Sequence, residues 1–492
     1  MILTCAQMKA AEDALFATGV EAEALMEKAG RGCAETILQH VTSSGRARIY
    51  IGKGHNGGDA LVIGRYLRQN AWTVECVMAA DREQLAPLTR KKLEEFEAIP
   101  NPDHFQPGQT IVIDGLLGIG AKGPMRGNYG ELAAAMNRAR REDGALCFAI
   151  DIPSGVNGDT GEVYDGAVVA DCTLTIAHVK AGLLEDQALD HVGQLELIPL
   201  PEIVASEGDD SRHTLHSPDL RYLFPPAPYS FHKGQAGRVG IVAGSRGLTG
   251  AAILSSRGAL NAGGGLVTVF VREDIYPIIA AKAPEEVMVK PIRTLEEVQE
   301  FNLDAIGLGP GLGTEHEAEV LRLIQEDKRP MVIDADGLNM LSRHPDILAR
   351  LSEAPGPRLL TPHPGELARL FPEAKGLESR LETAKAFCER FPVTLLYKGS
   401  RTLIAQPGKP VAYNTTGTPG MATGGIGDVL TGVCTAFAAR GMSLYDAACL
   451  GSWLVGRSAE AYVRDHAPES LTAGLIADHL DAAFRLLRGR ND

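Results

Sequence analysis

A chain of 492 residues exceeds what one ordinary core fills, so two or three domains are expected. Its 45% hydrophobic and 22% charged residues are those of a globular protein, and no stretch is apolar for long enough to span a bilayer. The net charge of −14 argues against nucleic acid and anionic membrane as partners. Eight scattered cysteines without a CxxC pair fit reduced thiols, and the start MILTCAQMKAAEDALF lacks the basic head and apolar core of a secretory signal, so a cytoplasmic location is expected.

Residues Ala6–Leu38 carry apolar positions at helical spacing, through Ala24, Leu25, Met26 and Ala29. Arg46–Ile51 is a strand pattern, followed by GKGHNGGDALVIGRYL and a second strand, Thr73–Met78. That order predicts a βαβ unit with a right-handed crossover. Gly52-x-Gly54-x-x-Gly57 and Gly118-x-Gly120-x-x-Gly123 both match a dinucleotide fingerprint, so neither match is specific. Strands at Thr110–Asp114 and Leu146–Asp151 each end in an acid and run into Gly-rich loops. In an open parallel sheet such loops line the ligand crevice. Asn56, Asp114 and Ser154 offer hard oxygen ligands for an alkali or alkaline-earth cation, and Asp151 is placed to face a substrate. The same acids could instead cap helices or close turns. Strands at Asp171–Ala177 and Gln194–Pro199 complete this half.

GKGHNGGDALV, VIDGLLGIGAKGP and AIDIPSGVNGDTG together resemble the three motifs of the YjeF N-terminal domain, the NAD(P)H-hydrate epimerase. The resemblance covers about residues 1–200 and implies a Rossmann-like α/β/α sandwich. It implies K+ on Asn56, Asp114 and Ser154. It further implies hydrate binding by His55, Asn56, Gly57, Gly58, Asp59, Gly118, Ile119, Gly120, Ala121, Lys122, Gly123, Pro124 and Asp151. The family loop often carries a second Asn where this chain has His55, which leaves the backbone cradle and changes the side chain.

Leu200–Pro218 loses both periodicities and reads as a linker, dividing the chain into domains of 1–212 and 213–492. Beyond it, Lys233 in His232-Lys233-Gly234 reads as a surface cation, although it could reach a phosphate. Strand patterns follow at Arg238–Ala243, Leu266–Val271, Val287–Lys290, Ala305–Leu308, Met331–Asp334, Leu359–Thr361 and Val393–Tyr397, alternating with helices. This predicts a mainly parallel sheet covered on both faces, with Thr402–Ala405 and Pro410–Tyr413 as an antiparallel extension. Tyr445–Arg464 and Thr472–Leu487 read as helices. Neither GxxxxGK[ST] nor HExxH occurs, which excludes a P-loop site and a zincin. The centre of this half is TPGMATGGIGDVLTG, Thr418–Gly432. Its glycines permit a sharp turn, and the helix start behind them offers free N–H groups to phosphate oxygens. Asp428 at the join would repel a phosphate; it is placed to take a proton from a hydroxyl that attacks one. An ordinary Asp-capped turn is the alternative.

AGSRGLTGAA, GPGLG, DADGLN, TPHPGE, KGSRT and TGTPGMATGGIGDVLTG stand in the order of the ribokinase-like superfamily, and within it resemble the YjeF C-terminal domain, the ADP-dependent NAD(P)H-hydrate dehydratase. The resemblance spans about Pro225–Asp492. It implies ADP binding by Lys398, Gly399, Ser400, Arg401 and Thr402, and by Thr418, Pro419, Gly420, Met421, Ala422, Thr423, Gly424, Gly425, Ile426 and Gly427. Ala252, Gly311, His363 and Asp428 would contact the hydrate, with Mg2+ bridging the phosphates; His363 could equally cap a helix. The resemblance implies a bifunctional repair enzyme with the substrates NADHX and NADPHX: epimers interconverted in the first domain, with Asp151 as acid/base or as a binding group, and one epimer dehydrated in the second with ADP giving AMP and phosphate. A homo-oligomer is expected. The alternative is a vitamin-alcohol kinase fused to a non-catalytic binding module.

Overall fold

The computed structural model describes residues 1–41, 43–103 and 108–489. It separates into two compact units, Met1–Arg212 and His213–Asp492. Both are α/β units built on mainly parallel sheets.

The main sheet of the first unit has six strands: β1 Arg46–Ile51, β2 Thr73–Met78, β3 Thr110–Gly115, β4 Leu146–Ile150, β5 Cys172–Ile176 and β6 Gln194–Ile198. They form one sheet in the order β2-β1-β3-β4-β5-β6, every pair parallel. Ile49, Ile51, Ile111, Ile113, Ile150 and Leu174 are buried, as strands covered on both faces require. The helical pattern over 6–38 resolves into Cys5–Phe16 and Ala22–His40. Thr4 opens the former with a capping box to Gln7.

The second sheet has ten strands. They are β7 Arg212–Thr214, β8 Arg238–Val242, β9 Leu266–Arg272, β10 Val287–Ile292, β11 Ala305–Leu308, β12 Met331–Ile333, β13 Arg358–Leu360, β14 Thr394–Tyr397, β15 Thr402–Ala405 and β16 Val411–Asn414. Their order is β10-β9-β8-β11-β12-β13-β14-β15-β16-β7. Pairing is parallel from β10 through to β14 and antiparallel from β14 to β16. The apolar helices Ile426–Ala439 and Leu444–Val463 are buried in its core.

Two expectations are corrected. The stretch read as a linker, Leu200–Pro218, contains β7 and the start of helix Ser217–Arg221. A short edge strand buries little, so its sequence shows no alternation. The helix expected over Thr472–Leu487 breaks into Ala473–Asp478 and Leu480–Leu487, with His479 at the join. Among the described residues no helix is long and apolar enough to cross a membrane.

Candidate active sites

In the first unit the strand order reverses between β1 and β3. At such a reversal the loops after the two strands diverge and leave a crevice. A cavity of about 520 Å³ lies there, lined by His55, Asn56, Asp59, Asp151 and residues 116–121. His55 begins the helix His55–Gln69, and Gly57 and Gly58 are buried in its first turn. Gly118, Ile119, Gly120 and Ala121 line the cavity, while Lys122 and Pro124 lie on the exposed side of the same loop, with Gly123 half-buried between them.

The three expected cation ligands converge. Asp114 is fully buried and accepts from the Ser154 N–H at 2.7 Å, the Ser154 hydroxyl at 2.7 Å and the Leu116 N–H at 3.1 Å. The Ser154 hydroxyl in turn accepts from the Leu117 N–H at 3.0 Å. Asn56 Nδ2 donates to the Leu117 carbonyl at 2.8 Å, which leaves Oδ1 as its acceptor. Burial pushes the Asp114 carboxyl up to about 6, against the lowering effect of the Ser154 and Leu116 hydrogen bonds.

Asp151 follows β4 at a left-handed φ of 65°. Its Oδ1 accepts from the Ile176 N–H at 3.1 Å and is ion-paired with Lys180, which is fully buried. The Lys180 ammonium also donates to the Ile176 carbonyl at 2.9 Å. Sequence reasoning missed Lys180, because it lies 29 positions beyond Asp151 in TIAHVKAG, which has no motif of its own. It also missed Glu12, which lines the same cavity from helix Cys5–Phe16. Its spacing from Met8 and Phe16, four residues each way on one helical face, was the available signal.

In the second unit the strand order reverses between β8 and β11. The loops after them meet where the Gly244 N–H donates to the Pro310 carbonyl at 2.9 Å. Gly311 takes a φ of 59° there, and Ala252 is fully buried in helix Thr249–Asn261. Gly425, at a φ of 94°, turns the chain into helix Ile426–Ala439, so that Asp428 sits in its first turn. Asp428 is half-buried. Burial first, then the neighbouring Asp334, push its carboxyl up to about 7, with Lys398 acting in the opposite sense. No ion pair holds it among the described residues.

Asp334 follows β12 and is buried. It accepts from Lys398 Nζ at 2.7 Å and from the Thr431 hydroxyl at 3.0 Å. Asp334 thereby joins the loop after β14 to the helix that carries Asp428. The backbone of that loop is gripped by Arg380, which donates to the carbonyls of Tyr397 at 3.2 Å, Lys398 at 3.0 Å and Arg401 at 3.0 Å. A side chain at Gly399 would collide with the Arg380 guanidinium. Arg401 is buried, whereas Gly399 and Ser400 are exposed and Thr402 is half-buried. Ala422, Thr423 and Gly424 are exposed at the mouth of the turn. His363 caps helix Pro364–Leu370: its Nδ1 accepts from the Gly365 N–H at 3.0 Å and its own N–H donates to Glu366 at 2.8 Å. Its ring is 53% exposed and remains open to a ligand. Lys233 is exposed, as a surface cation would be.

Two family models match the chain: YjeF-related protein N-terminus over residues 22–182, and NAD(P)H-hydrate dehydratase over residues 239–481. The chain is 34% identical to the bifunctional NAD(P)H-hydrate repair enzyme Nnr of Moorella thermoacetica, covering 94% of this chain and 92% of that one. It is 36% identical to the enzyme of the same name from Gloeobacter violaceus, covering 96% and 97%. A solved ADP/ATP-dependent NAD(P)H-hydrate dehydratase from Bacillus subtilis, co-crystallized with ATP/Mg2+, is 27% identical over 55% of this chain and 97% of that chain, with a TM-score of 0.47. With two relatives above 30% identity matched over nearly their whole length, the chain belongs to the family of bifunctional NAD(P)H-hydrate repair enzymes.

Proposed function

We propose that residues 1–212 epimerise the R and S forms of NADHX and NADPHX, and that residues 213–492 dehydrate the S form back to the dihydropyridine as ADP becomes AMP and phosphate. The observation that carries this reading is Asp428: a carboxylate in no ion pair among the described residues, in the first turn of a helix behind a Gly-rich loop, with Asp334 and Lys398 as charged neighbours. A carboxyl near 7 exchanges a proton readily at neutral pH.

In the dehydratase, Asp428 takes the proton of the ring hydroxyl as its oxygen attacks the terminal phosphorus of ADP. The N–H groups of Gly424, Gly425, Ile426 and Gly427 converge on the charge that develops there. Lys398, Gly399, Ser400, Arg401, Thr402 and Thr418–Gly427 cradle the nucleotide. The ring phosphate then leaves with its bonding pair, and loss of the neighbouring ring proton restores the double bond. Ala252 and Gly311 would shape the hydrate pocket from backbone, and His363 would orient the ring or its amide. Asp334 and Asp336 would offer hard oxygens of the kind Mg2+ accepts, and that ion would neutralise phosphate charge on ADP.

In the epimerase, Asp114, Ser154 and Asn56 offer one carboxylate, one hydroxyl and one amide oxygen. This donor set carries a single charge and suits K+. The buried Asp114 has no cationic side chain bonded to it among the described residues, which fits a bound cation. K+ there would organise the loops after β3 and β4 around the substrate phosphates. Asp151 acts on the carbon bearing the hydroxyl.

The test is to incubate the full chain with an epimer mixture of NADH hydrate and either ADP or ATP, following dihydropyridine absorbance and the nucleotide product. Complete return of absorbance with AMP and phosphate is expected with ADP. Phosphorylation of a vitamin alcohol, with ATP giving ADP, would favour a kinase instead. Assembly into a homo-oligomer belongs to the same reading and is tested by light scattering of the full chain.

A further inference from the structure

The cavity of the first unit holds more ionisable groups than the epimerase reading has used. Glu12, on helix Cys5–Phe16, lines it together with Asp59 and Asp151. Asp151 is engaged by the buried Lys180, and Glu12 has no such partner among the described residues. Asp59 reaches the same cavity from helix His55–Gln69, where burial and then the charges of Asp151 and Glu12 push its carboxyl well up. The charged or titratable groups around Glu12 are Lys9 and Asp13 on its own helix, Lys53, His55 and Asp59 at the loop after β1, and Asp151 with Lys180 behind it. Three carboxyl groups thus face one cavity, and among the described residues Asp151 is ion-paired while Glu12 and Asp59 are not, which divides base from acid roles.

The substrate chemistry asks for such a pair. Adding water across an enamine double bond puts the hydroxyl on the carbon beside the ring nitrogen. That carbon can invert by opening the ring. A base removes the hydroxyl proton, the C–O bond becomes C=O, and the C–N bond breaks with its electron pair passing to nitrogen. An acid protonates that nitrogen. Rotation about the adjacent C–C bond and reversal of both proton transfers close the ring on the other face. No oxidant or further reactant is consumed.

We propose that Glu12 is the acid of this step, donating to the ring nitrogen while Asp151 receives the hydroxyl proton. The inference rests on the epimerase reading of this cavity and adds a second catalytic residue to it. In support, burial and then the charge of Asp151 push the Glu12 carboxyl up to about 7, so it retains its proton under conditions where an exposed glutamate would not.

The experiment uses the full chain and the isolated R epimer of NADH hydrate, without nucleotide, and measures epimer ratio by chromatography from about pH 5.5 to 8.5. Wild-type epimerisation should decline on the alkaline side, through about 7. Glu12→Gln should lower kcat about 100-fold or more with little change in KM, and abolish that decline. Glu12→Asp should restore part of the rate and part of the pH dependence. Dehydration of the S epimer with ADP should be unaltered in both variants, and an unchanged circular dichroism spectrum and unfolding midpoint establish that the first unit is folded. A Glu12→Gln protein with wild-type rate and an unaltered alkaline limb would overturn the role of Glu12 alone. Absence of epimerisation in the wild-type chain would overturn the epimerase reading itself.

Discussion

Asp428 must lose its own proton before it can take one from a substrate hydroxyl. With its carboxyl near 7, dehydration should rise with pH through about 7 and level off above it. Asp428→Ala should lower kcat by about 10² to 10⁴, measured as the ADP-dependent return of dihydropyridine absorbance. The same shift has a cost in stability. A carboxyl whose pKa is raised on folding favours the folded state below the unfolded value and loses that contribution as pH rises through the folded value. Asp428→Asn should therefore raise the free energy of unfolding at pH 8 by about 1 kcal/mol after allowance for partial exposure, while leaving it unchanged near pH 4. Asp114 poses a different test. Replacing it by Asn keeps the shape and removes the charge, so the potassium response of epimerisation should flatten. An unchanged titration with KCl would remove Asp114 from the ion site.

At the level of elements, two turns carry the proposed dehydratase site, and each has a specific weakness. Gly425 sits at a φ of 94° with Leu254 against the place a Cβ would take. Gly425→Ala should cost about 1–2 kcal/mol from backbone alone, read from chemical denaturation, and more from the collision. Arg380 holds the Lys398–Arg401 backbone from a neighbouring helix. Arg380→Ala should raise KM for ADP more than it lowers kcat, because it loosens a binding loop without touching Asp428. The parallel strands and their Gly-rich exits were legible in the sequence, because strands buried on both faces are written as continuous apolar runs. Strand β7 and the break at His479 were not. A strand of three residues has no periodicity to read, and the helical pattern continues across His479 while the backbone does not.

Across the whole molecule, both candidate sites were legible as far as their loops and no further. Asn56, Asp114, Ser154 and Asp428 stand in short motifs whose spacing already implies a common loop or helix start. Glu12, Lys180, Asp334 and Arg380 reach their sites from separate elements, and only the folded sheet brings them there. Two sites in two units also make a prediction of their own. Asp428→Ala should abolish dehydration and leave interconversion of the epimers nearly intact; a joint loss in a folded protein would contradict separate sites.

One carboxylate ties two of these loops together. Asp114 is hydrogen-bonded by Leu116 on the exit of β3 and by both donors of Ser154 on the exit of β4. Parting either segment takes hydrogen bonds from a desolvated carboxylate, so movement of one exit is opposed by the other. Amide deuterium uptake at Leu116 and Ser154 should accordingly proceed in step, and anything that steadies one exit will slow exchange at both.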